Sequence, residues 1–298
     1  MTIRWGVSPI AWINDDMPEL GGDTPLEILL GDCRDIGFAG VELGGKFPRR
    51  PKELRSLLGG YGLDLVGGWY STHLLVRDAD AEIESMADHL SLIEAMGCEV
   101  FIAAECSNAV HGNRAHPLAR KPGVDDWARF GARMTALADY VRARGLRFAY
   151  HYHLGTCVET PEDLARFIAH TGENVGFVVD TGHAVLGGID PVDLILAHPG
   201  RVSHVHAKDI RRDVHALVLT EGRSFLDGVV AGMFTAPGDG SIDFGAIMRA
   251  LKAIDYSGWI VIEAEQDPAL ADPREYSRLG LATLKREAAA AGLVREVA

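Results

Sequence analysis

The stretch Val175-Gly-Phe-Val-Val-Asp-Thr-Gly-His183 decides the fold, because a short apolar, β-branched run ends there abruptly in polar residues. Such a run is typical of a buried strand. Further runs of this kind lie at residues 3–9, 40–44, 63–70, 99–105, 146–153, 202–209 and 259–265. Longer segments with helical periodicity separate them, and this alternation predicts repeated βα units.

Helix starts are signalled between several of these strands. Thr160-Pro161-Glu162-Asp163 places a capping residue, a proline and early acids in the order that begins a helix. Further helices are predicted at residues 24–27, 51–58, 81–96 and 125–144, and glycines 37, 62, 97, 145 and 258 stand where a helix turns into the next strand. Eight βα units without a linker in 298 residues predict an α/β fold, a single (β/α)8 TIM barrel spanning residues 1–298.

Two connections, residues 108–123 and 211–240, are longer than ordinary loops. They follow the fourth and seventh predicted strands. We therefore expect both on the C-terminal face of the barrel, where barrel enzymes build their sites and lids.

Composition excludes several classes of protein. The formal net charge of −13 opposes binding to nucleic acid, for which the chain shows no basic patch. No stretch approaches the roughly 18 apolar residues of a membrane span, and the start Met-Thr-Ile-Arg-Trp carries no signal-sequence pattern. Four cysteines without CxxC spacing predict free thiols. We expect a cytoplasmic protein with no nucleic-acid or membrane partner.

The ends of the predicted strands carry an unusual number of His, Asp and Glu residues. They are Glu42, Glu105, His151, His153, Asp180, His183, His204, His206, Lys208, Asp209, Glu263 and Glu265. Any one of them could be a hydrogen-bonded structural residue, but all would meet at one barrel mouth. Residues two apart on a strand share a face, so His151 and His153 point the same way. Mixed oxygen and nitrogen donors predict a divalent metal such as Mn²⁺ or Co²⁺ rather than a thiolate zinc site.

Several blocks of the sequence resemble the inosose dehydratases, which act on 2-keto-myo-inositol. The first is Trp12-Ile-Asn-Asp-Asp16 with Pro18-Glu-Leu-Gly-Gly-Asp23 behind it, and the last is Glu263-Ala-Glu-Gln-Asp-Pro268. The similarity continues through residues 40–42, 68–72, 151–156, 179–183, 204–209, 224–229, 237–240 and 258–270. Asp-Thr-Gly-His, His-x-Lys-Asp and Pro-Gly-x-Gly recur across the wider xylose-isomerase-like barrels, whereas the first and last blocks are particular to the inosose dehydratases.

The resemblance implies a xylose-isomerase-like TIM barrel whose metal is held by residues from the last four of the eight predicted strands, at residues 146–153, 175–180, 202–209 and 259–265. Asp180, His206 and Glu263 match three of the usual ligands. On the fifth predicted strand, residues 146–153, His151 replaces the usual Glu. We expect His151 as the fourth ligand, with water, Glu265 or His153 as alternatives. The resemblance also implies Co²⁺ or Mn²⁺, glutathione as a further cofactor, and a homo-oligomer, either dimer or tetramer.

The activity that the resemblance implies is removal of water from 2-keto-myo-inositol (scyllo-inosose) in inositol catabolism, giving a trihydroxycyclohexane-1,2-dione through a metal-stabilised enolate. Candidates for moving protons or holding the oxyanion are His153, His183, Glu265, Glu105 and Lys208, of which we favour the two histidines. Candidates for binding this cyclitol ketone are Trp12, Asn14, Glu42, Lys46 and Trp69.

Three other functions are considered. A ketose epimerase or isomerase would share the metal and the enolate, and its usual pair of facing carboxylates is less compatible with His151. A phosphodiesterase resembling endonuclease IV would need more ligands and positive charge. A sugar-binding barrel without catalysis would not require so many ionisable residues at the ends of its strands. The sequence contains no GxSxG, GxxxxGK[ST] or strand-linked GxGxxG motif, which argues against serine-hydrolase, nucleotide-phosphate and dinucleotide chemistry.

Overall fold

A curled parallel sheet forms the centre of the molecule. The computed structural model describes residues 2–294. Its strands are β1 (Ile3–Val7), β2 (Gly40–Val41), β3 (Asp64–Leu65), β4 (Trp69–Thr72), β5 (Val100–Glu105), β6 (Arg147–Tyr150), β7 (Val175–Asp180), β8 (Val202–Ala207), β9 (Asp209–Ile210), β10 (Phe234–Thr235) and β11 (Gly258–Ile262). The main sheet runs β3-β2-β1-β11-β8-β7-β6-β5-β4, and every neighbouring pair in it is parallel.

The two edge strands of this sheet are two halves of one predicted strand. Only residues 66–68 separate β3 from β4. Val66 N donates to Val41 O at 3.0 Å and Leu43 N donates to Gly67 O at 2.9 Å, so this segment continues the pairing with β2. A Cβ on Gly68 would lie 2.8 Å from that of Leu43, which explains why glycine stands at this break. The sheet therefore closes, and the predicted TIM barrel is confirmed.

Helices surround the barrel: α1 (Leu26–Ile36), α2 (Pro51–Gly59), α3 (Ala79–Ala95), α4 (Trp127–Ala143), α5 (Pro161–His170), α6 (Thr181–Gly187), α7 (Pro191–Ala197), α8 (Arg212–Thr220), α9 (Phe225–Val230), α10 (Phe244–Ala253) and α11 (Pro273–Ala290). The predicted start of α5 is confirmed, since Thr160 and Asp163 form a reciprocal capping box. Gly37 ends α1 in a left-handed conformation, with φ of 96°. Within residues 2–294, no helix combines the length and apolarity needed to span a membrane.

The long segment 211–240 is more ordered than its description as a loop suggested, because it contains α8, α9 and β10, and β10 pairs antiparallel with β9. Asp209 fastens both ends of this segment: its two carboxylate oxygens accept from four backbone amides, those of Ile210, Gly238, Gly240 and Ile242. The segment thus leaves the barrel and returns to it at one carboxylate.

A second apolar core lies over the C-terminal ends of the strands. We call it the cap core, and it consists of Met17, Leu118, Leu154, Ile210, Val218, Phe225, Leu226, Val229, Met233 and Phe234. Its members come from the connections after β1, β5, β6 and β8. Burying these side chains together holds four separate connections above the barrel mouth.

His89 gives the fold a predicted sensitivity to acid. It packs between Tyr70 and Phe101, with ring centroids 5.6 and 5.5 Å away, and burial lowers its pKa to about 4. The unfolded chain binds this proton below a pKa of about 6.5, so stability should be lost as pH falls from about 6.5 to 4. This shift corresponds to a loss of up to about 3 kcal/mol in the free energy of unfolding.

Urea unfolding of wild type and His89→Gln at pH 7 and pH 4.5 would test this expectation. The variant should lose less stability than wild type between the two pH values. Equal losses of stability in the two proteins would show that His89 does not contribute to the fall in the free energy of unfolding at acid pH.

Candidate metal centre

Four buried side chains converge at the barrel mouth. His151 directly follows β6, Asp180 ends β7, His206 lies on β8 and Glu263 directly follows β11. One nitrogen or oxygen from each lies within 4.8 Å of the others. These are the four residues that the sequence predicts as ligands, and the structure brings all of them together.

The hydrogen bonds of the two histidines determine which ring nitrogen faces the cluster. His151 Nδ1 lies 2.7 Å from Tyr152 O, a carbonyl that can only accept, so the hydrogen is on Nδ1 and Nε2 carries a lone pair. His206 Nε2 lies 3.0 Å from Glu42 Oε1, so by the same reasoning Nε2 carries hydrogen and Nδ1 is the nitrogen available to a metal. His151 Nε2 and His206 Nδ1 face each other at 3.3 Å.

The two carboxylates add further lone pairs at the same point. Asp180 Oδ1 accepts from His183 N at 2.8 Å, whereas Oδ2 is buried and accepts no hydrogen bond from any residue in 2–294. That free oxygen lies 3.5 Å from His151 Nε2 and 3.6 Å from His206 Nδ1, and Glu263 Oε2 also contacts His206 Nδ1. Two imidazole nitrogens and two carboxylates that converge on one point suit a divalent cation.

The pKa values indicate how strongly this cluster attracts positive charge. Burial alone would lower the pKa of His206, yet Glu42 and Glu263 raise it well above its ordinary value. Burial would also raise the pKa of Asp180, but Lys208 and the neighbouring histidines outweigh it and lower that pKa below its usual range. The residues present therefore fit a divalent metal, although they do not identify which one.

Lys208 and Glu265 form a buried ion pair beside the cluster. Lys208 Nζ lies 2.7 Å from Glu263 Oε1 and 3.4 Å from Glu265 Oε2. The other oxygen of Glu265 has no hydrogen-bond partner among the described residues, and burial raises the pKa of Glu265 to about 7, against the effect of Lys208. This carboxyl can therefore both release and accept a proton near neutral pH.

His153 and His183 stack on each other with ring centroids 3.7 Å apart. Burial, together with neighbouring histidines, lowers the pKa of both well below the ordinary value. His153 Nδ1 lies 2.7 Å from Leu154 O, which leaves Nε2 with a lone pair. Both nitrogens of His183 face donors, Leu154 N at 3.2 Å and Lys208 Nζ at 3.1 Å, an arrangement that disfavours the imidazolium.

A cavity of about 280 Å³ opens beside these groups, at the small end of the range for ligand pockets. The predicted residues that line it are Glu42, Trp69, His153, His206, Glu263 and Glu265. Sequence reasoning missed six polar lining residues, which are Ser8, Asp15, Asp16, Arg49, Ser71 and His111. The signals were available: both aspartates belong to the first family block, and His111 lies in the long connection after β5.

Three predicted site residues point elsewhere. Trp12 is buried in the core and its indole donates to Asp32 at 3.0 Å, so it is not a substrate platform. Lys46 Nζ donates to two backbone carbonyls, those of Gly22 and Thr24, and secures the loop after β1. Glu105 accepts from two backbone amides and the Thr72 hydroxyl, which leaves it with a structural role.

Asn14, His183 and Lys208 lie near the cavity without lining it, within the described part of the chain. Asn14 Oδ1 accepts from the backbone of Asp16 and Met17 at 2.9 and 2.8 Å, so this side chain shapes the loop that presents Asp16. His183 packs behind His153, and Lys208 lies behind the two glutamates. The structure therefore places these three side chains behind the residues that line the cavity, and their contact with substrate stays a prediction.

Comparisons with known proteins bear on the fold and the family of the chain. The family model for the xylose isomerase-like TIM barrel matches residues 30–287. The solved structure of an L-ribulose 3-epimerase superposes with a TM-score of 0.68 over 100% of both chains, at 18% identity, which bears on the fold alone.

Two curated relatives match over nearly their whole lengths. The rhizopine catabolism protein MocC of Rhizobium meliloti is 44% identical over 98% of this chain and 90% of its own. An inosose dehydratase of Geobacillus thermodenitrificans is 38% identical over 92% of this chain and 94% of its own. The chain therefore belongs to the xylose isomerase-like TIM-barrel family and to the family of the inosose dehydratases.

Proposed function

We propose that this protein is a metal-dependent hydro-lyase of inositol catabolism, which removes water from 2-keto-myo-inositol to give a trihydroxycyclohexane-1,2-dione. The observation that carries the proposal is the convergence of two imidazoles and two carboxylates beside a cavity that also contains a neutral imidazole. The full-length similarity to inosose dehydratases supports the substrate.

The reaction requires a proton to leave the carbon next to the ketone and a hydroxyl to leave the carbon beyond it. His151, Asp180, His206 and Glu263 would hold a divalent ion, which would supply Lewis-acid stabilisation of the negative charge that develops on the ketone oxygen. The protein must then provide a base for the first step and an acid for the second.

His153 is the proposed base. Its Nε2 carries a lone pair because Nδ1 donates to Leu154 O, and its lowered pKa keeps the ring neutral near pH 7. Stacking against His183 fixes the plane of the ring. His153 can therefore accept the α-proton without first losing one.

Glu265 is the proposed acid for the departing hydroxyl. It lines the cavity, and its pKa of about 7 leaves a substantial protonated fraction at neutral pH. Lys208 holds one of its oxygens at 3.4 Å, whereas the other lacks a hydrogen-bond partner in residues 2–294. The partner-free oxygen is the one we assign to proton transfer.

The remaining polar lining residues suit a ring that carries many hydroxyls. Asp15 and Asp16 offer acceptors, while Arg49 and Ser71 offer donors. The Trp69 ring lies beside His151 and His153, with centroids 5.2 and 5.6 Å away, and provides an apolar surface for the C–H face of a ring. A pocket with matched donors and acceptors rejects analogues that leave its buried polar groups unpaired.

Metal dependence and the reaction can be tested together. Protein treated with a chelator should lose at least about a hundredfold in turnover of 2-keto-myo-inositol, because Lewis-acid stabilisation is worth several kcal/mol. Mn²⁺ or Co²⁺ should restore it, and added glutathione tests the further cofactor that the family resemblance implies. Full turnover in a rigorously metal-free sample would refute the proposed metal dependence.

Mass spectrometry of the product distinguishes the dehydratase from an epimerase on the same barrel. The dehydratase product has lost one water and should show the absorbance of a dione. An isomeric product of unchanged mass would favour the epimerase instead.

A further inference from the structure

The geometry points to Glu42 as a positioning residue of the metal centre: its carboxylate determines which nitrogen of His206 carries hydrogen and so leaves Nδ1 as the ligand. Its place directly after β2 led the sequence reasoning to treat it as a substrate contact. The inference depends on the metal-binding part of the proposed function and is independent of the substrate.

The contact crosses the interior of the barrel. Glu42 follows β2, whereas His206 lies on β8, and the strand order places β1 and β11 between them. Glu42 Oε1 nevertheless lies 3.0 Å from His206 Nε2. Both side chains are nearly fully buried, so water does not compete freely for this hydrogen bond.

His204 holds the same carboxylate from a second direction. Its Nε2 lies 3.1 Å from Glu42 Oε1. His204 is fully buried and lies two residues before His206 on the same face of β8. With two N–H donors on one oxygen, Glu42 is restrained from swinging into the cavity.

The consequence for the metal centre is a fixed tautomer. A carboxylate oxygen accepts and cannot donate, so the imidazole facing it must be protonated on Nε2. His206 Nδ1 is then the nitrogen left to a metal, and it faces Asp180 and Glu263. Such a partner also makes the coordinating nitrogen more basic, and removing it typically weakens metal binding by about 10- to 100-fold.

The two histidines of the centre therefore face the metal position with different nitrogens. The Tyr152 carbonyl directs His151 to use Nε2, and Glu42 directs His206 to use Nδ1. Glu42, His204 and His206 could alternatively hold a second metal ion, since one atom of each lies within 4.8 Å of the others. The stoichiometry of metal binding separates these two interpretations.

Glu42→Met and Glu42→Gln form a matched pair for calorimetric titration of the metal-free protein with Mn²⁺. Methionine removes the acceptor and should weaken binding about 10- to 100-fold. Glutamine retains an acceptor oxygen and should restore most of the affinity.

Glu82→Met is the control, since Glu82 is also fully buried and accepts from Tyr70 Oη and His73 N far from the metal ligands. It should lose stability and keep its affinity for Mn²⁺. Equal affinities in wild type and Glu42→Met, or equal losses in Glu42→Met and Glu82→Met, would overturn the inference. So would two metal equivalents per chain that fall to one in Glu42→Met. Absence of metal binding by wild type would instead refute the proposed metal dependence.

Nitrogen-15 NMR of the wild-type protein loaded with Zn²⁺ gives a second test, which reads the protonated nitrogen of each histidine directly. His206 should carry hydrogen on Nε2 and His151 on Nδ1, with assignments taken from the spectra of His206→Gln and His151→Gln. The same protonated nitrogen in both residues would contradict the assigned role of Glu42.

Discussion

Asp180→Asn is expected to lower turnover by at least about a thousandfold and to leave the purified protein nearly free of metal. The variant replaces one carboxylate of the cluster by a neutral amide. Asparagine can still use its oxygen to cap α6 through His183 N, as Asp180 Oδ1 does at 2.8 Å. Its NH2 group would then face the lone pair of His151 Nε2, where Asp180 Oδ2 lies 3.5 Å away. Losing a Lewis acid worth about 4 kcal/mol corresponds to this loss in rate.

Metal content, turnover and thermal unfolding should be measured on the same preparations. Asp190→Asn is the matched control, because Asp190 caps α7 in the same way and is exposed on the outside of the barrel. It should retain both metal and turnover. Full metal content and near wild-type turnover in Asp180→Asn would remove Asp180 from the centre.

His153→Gln is expected to lower kcat by about 10²- to 10⁴-fold while metal content stays unchanged. Glutamine retains hydrogen-bonding capacity but cannot take a proton at neutral pH. His153 lines the cavity and lies outside the four-residue cluster, so the substitution should separate proton transfer from metal binding. Exchange of the substrate α-hydrogen with D₂O, followed by NMR, should slow in parallel with kcat.

The comparison variants are His111→Gln and Glu265→Gln, since both residues also line the cavity. Glu265→Gln should impair loss of water while the α-hydrogen still exchanges, because the proposed acid acts after the base. Normal exchange in His153→Gln together with lost exchange in either comparison variant would transfer the role of base to that residue.

Periodicity was sufficient to predict the barrel, and strand-end chemistry was sufficient to predict a metal among the polar residues at its mouth. Residues at the C-terminal ends of parallel strands must meet, and the spacing of two residues fixes the face. The choice of His151, Asp180, His206 and Glu263 among those residues came from the family resemblance, and the structure brings these four together.

The loop residues could not be placed in the same way, because no periodicity relates a loop side chain to the barrel axis. Trp12 and Asp16 lie in one block, yet the first packs in the core and the second lines the cavity. Asp16 is presented by the turn in which Asn14 Oδ1 accepts from the backbone, whereas Trp12 is held by its hydrogen bond to the distant Asp32. Glu42 was placed at the mouth correctly, but its bond to His206 depends on how closely the opposite walls of the barrel approach.

The way Asp209 gathers four amides has a consequence for protein engineering. The segment between β9 and α10 is held at both ends by the carboxylate of Asp209. The positions of its two ends therefore do not depend on the residues between them. The intervening residues can then be exchanged as a cassette, provided that replacements restore the apolar contacts of the cap core. A library that varies α8 and α9 while keeping Asp209, Gly238 and Gly240 would alter the residues that pack against His153 and His183 without disturbing the strands that carry the four-residue cluster.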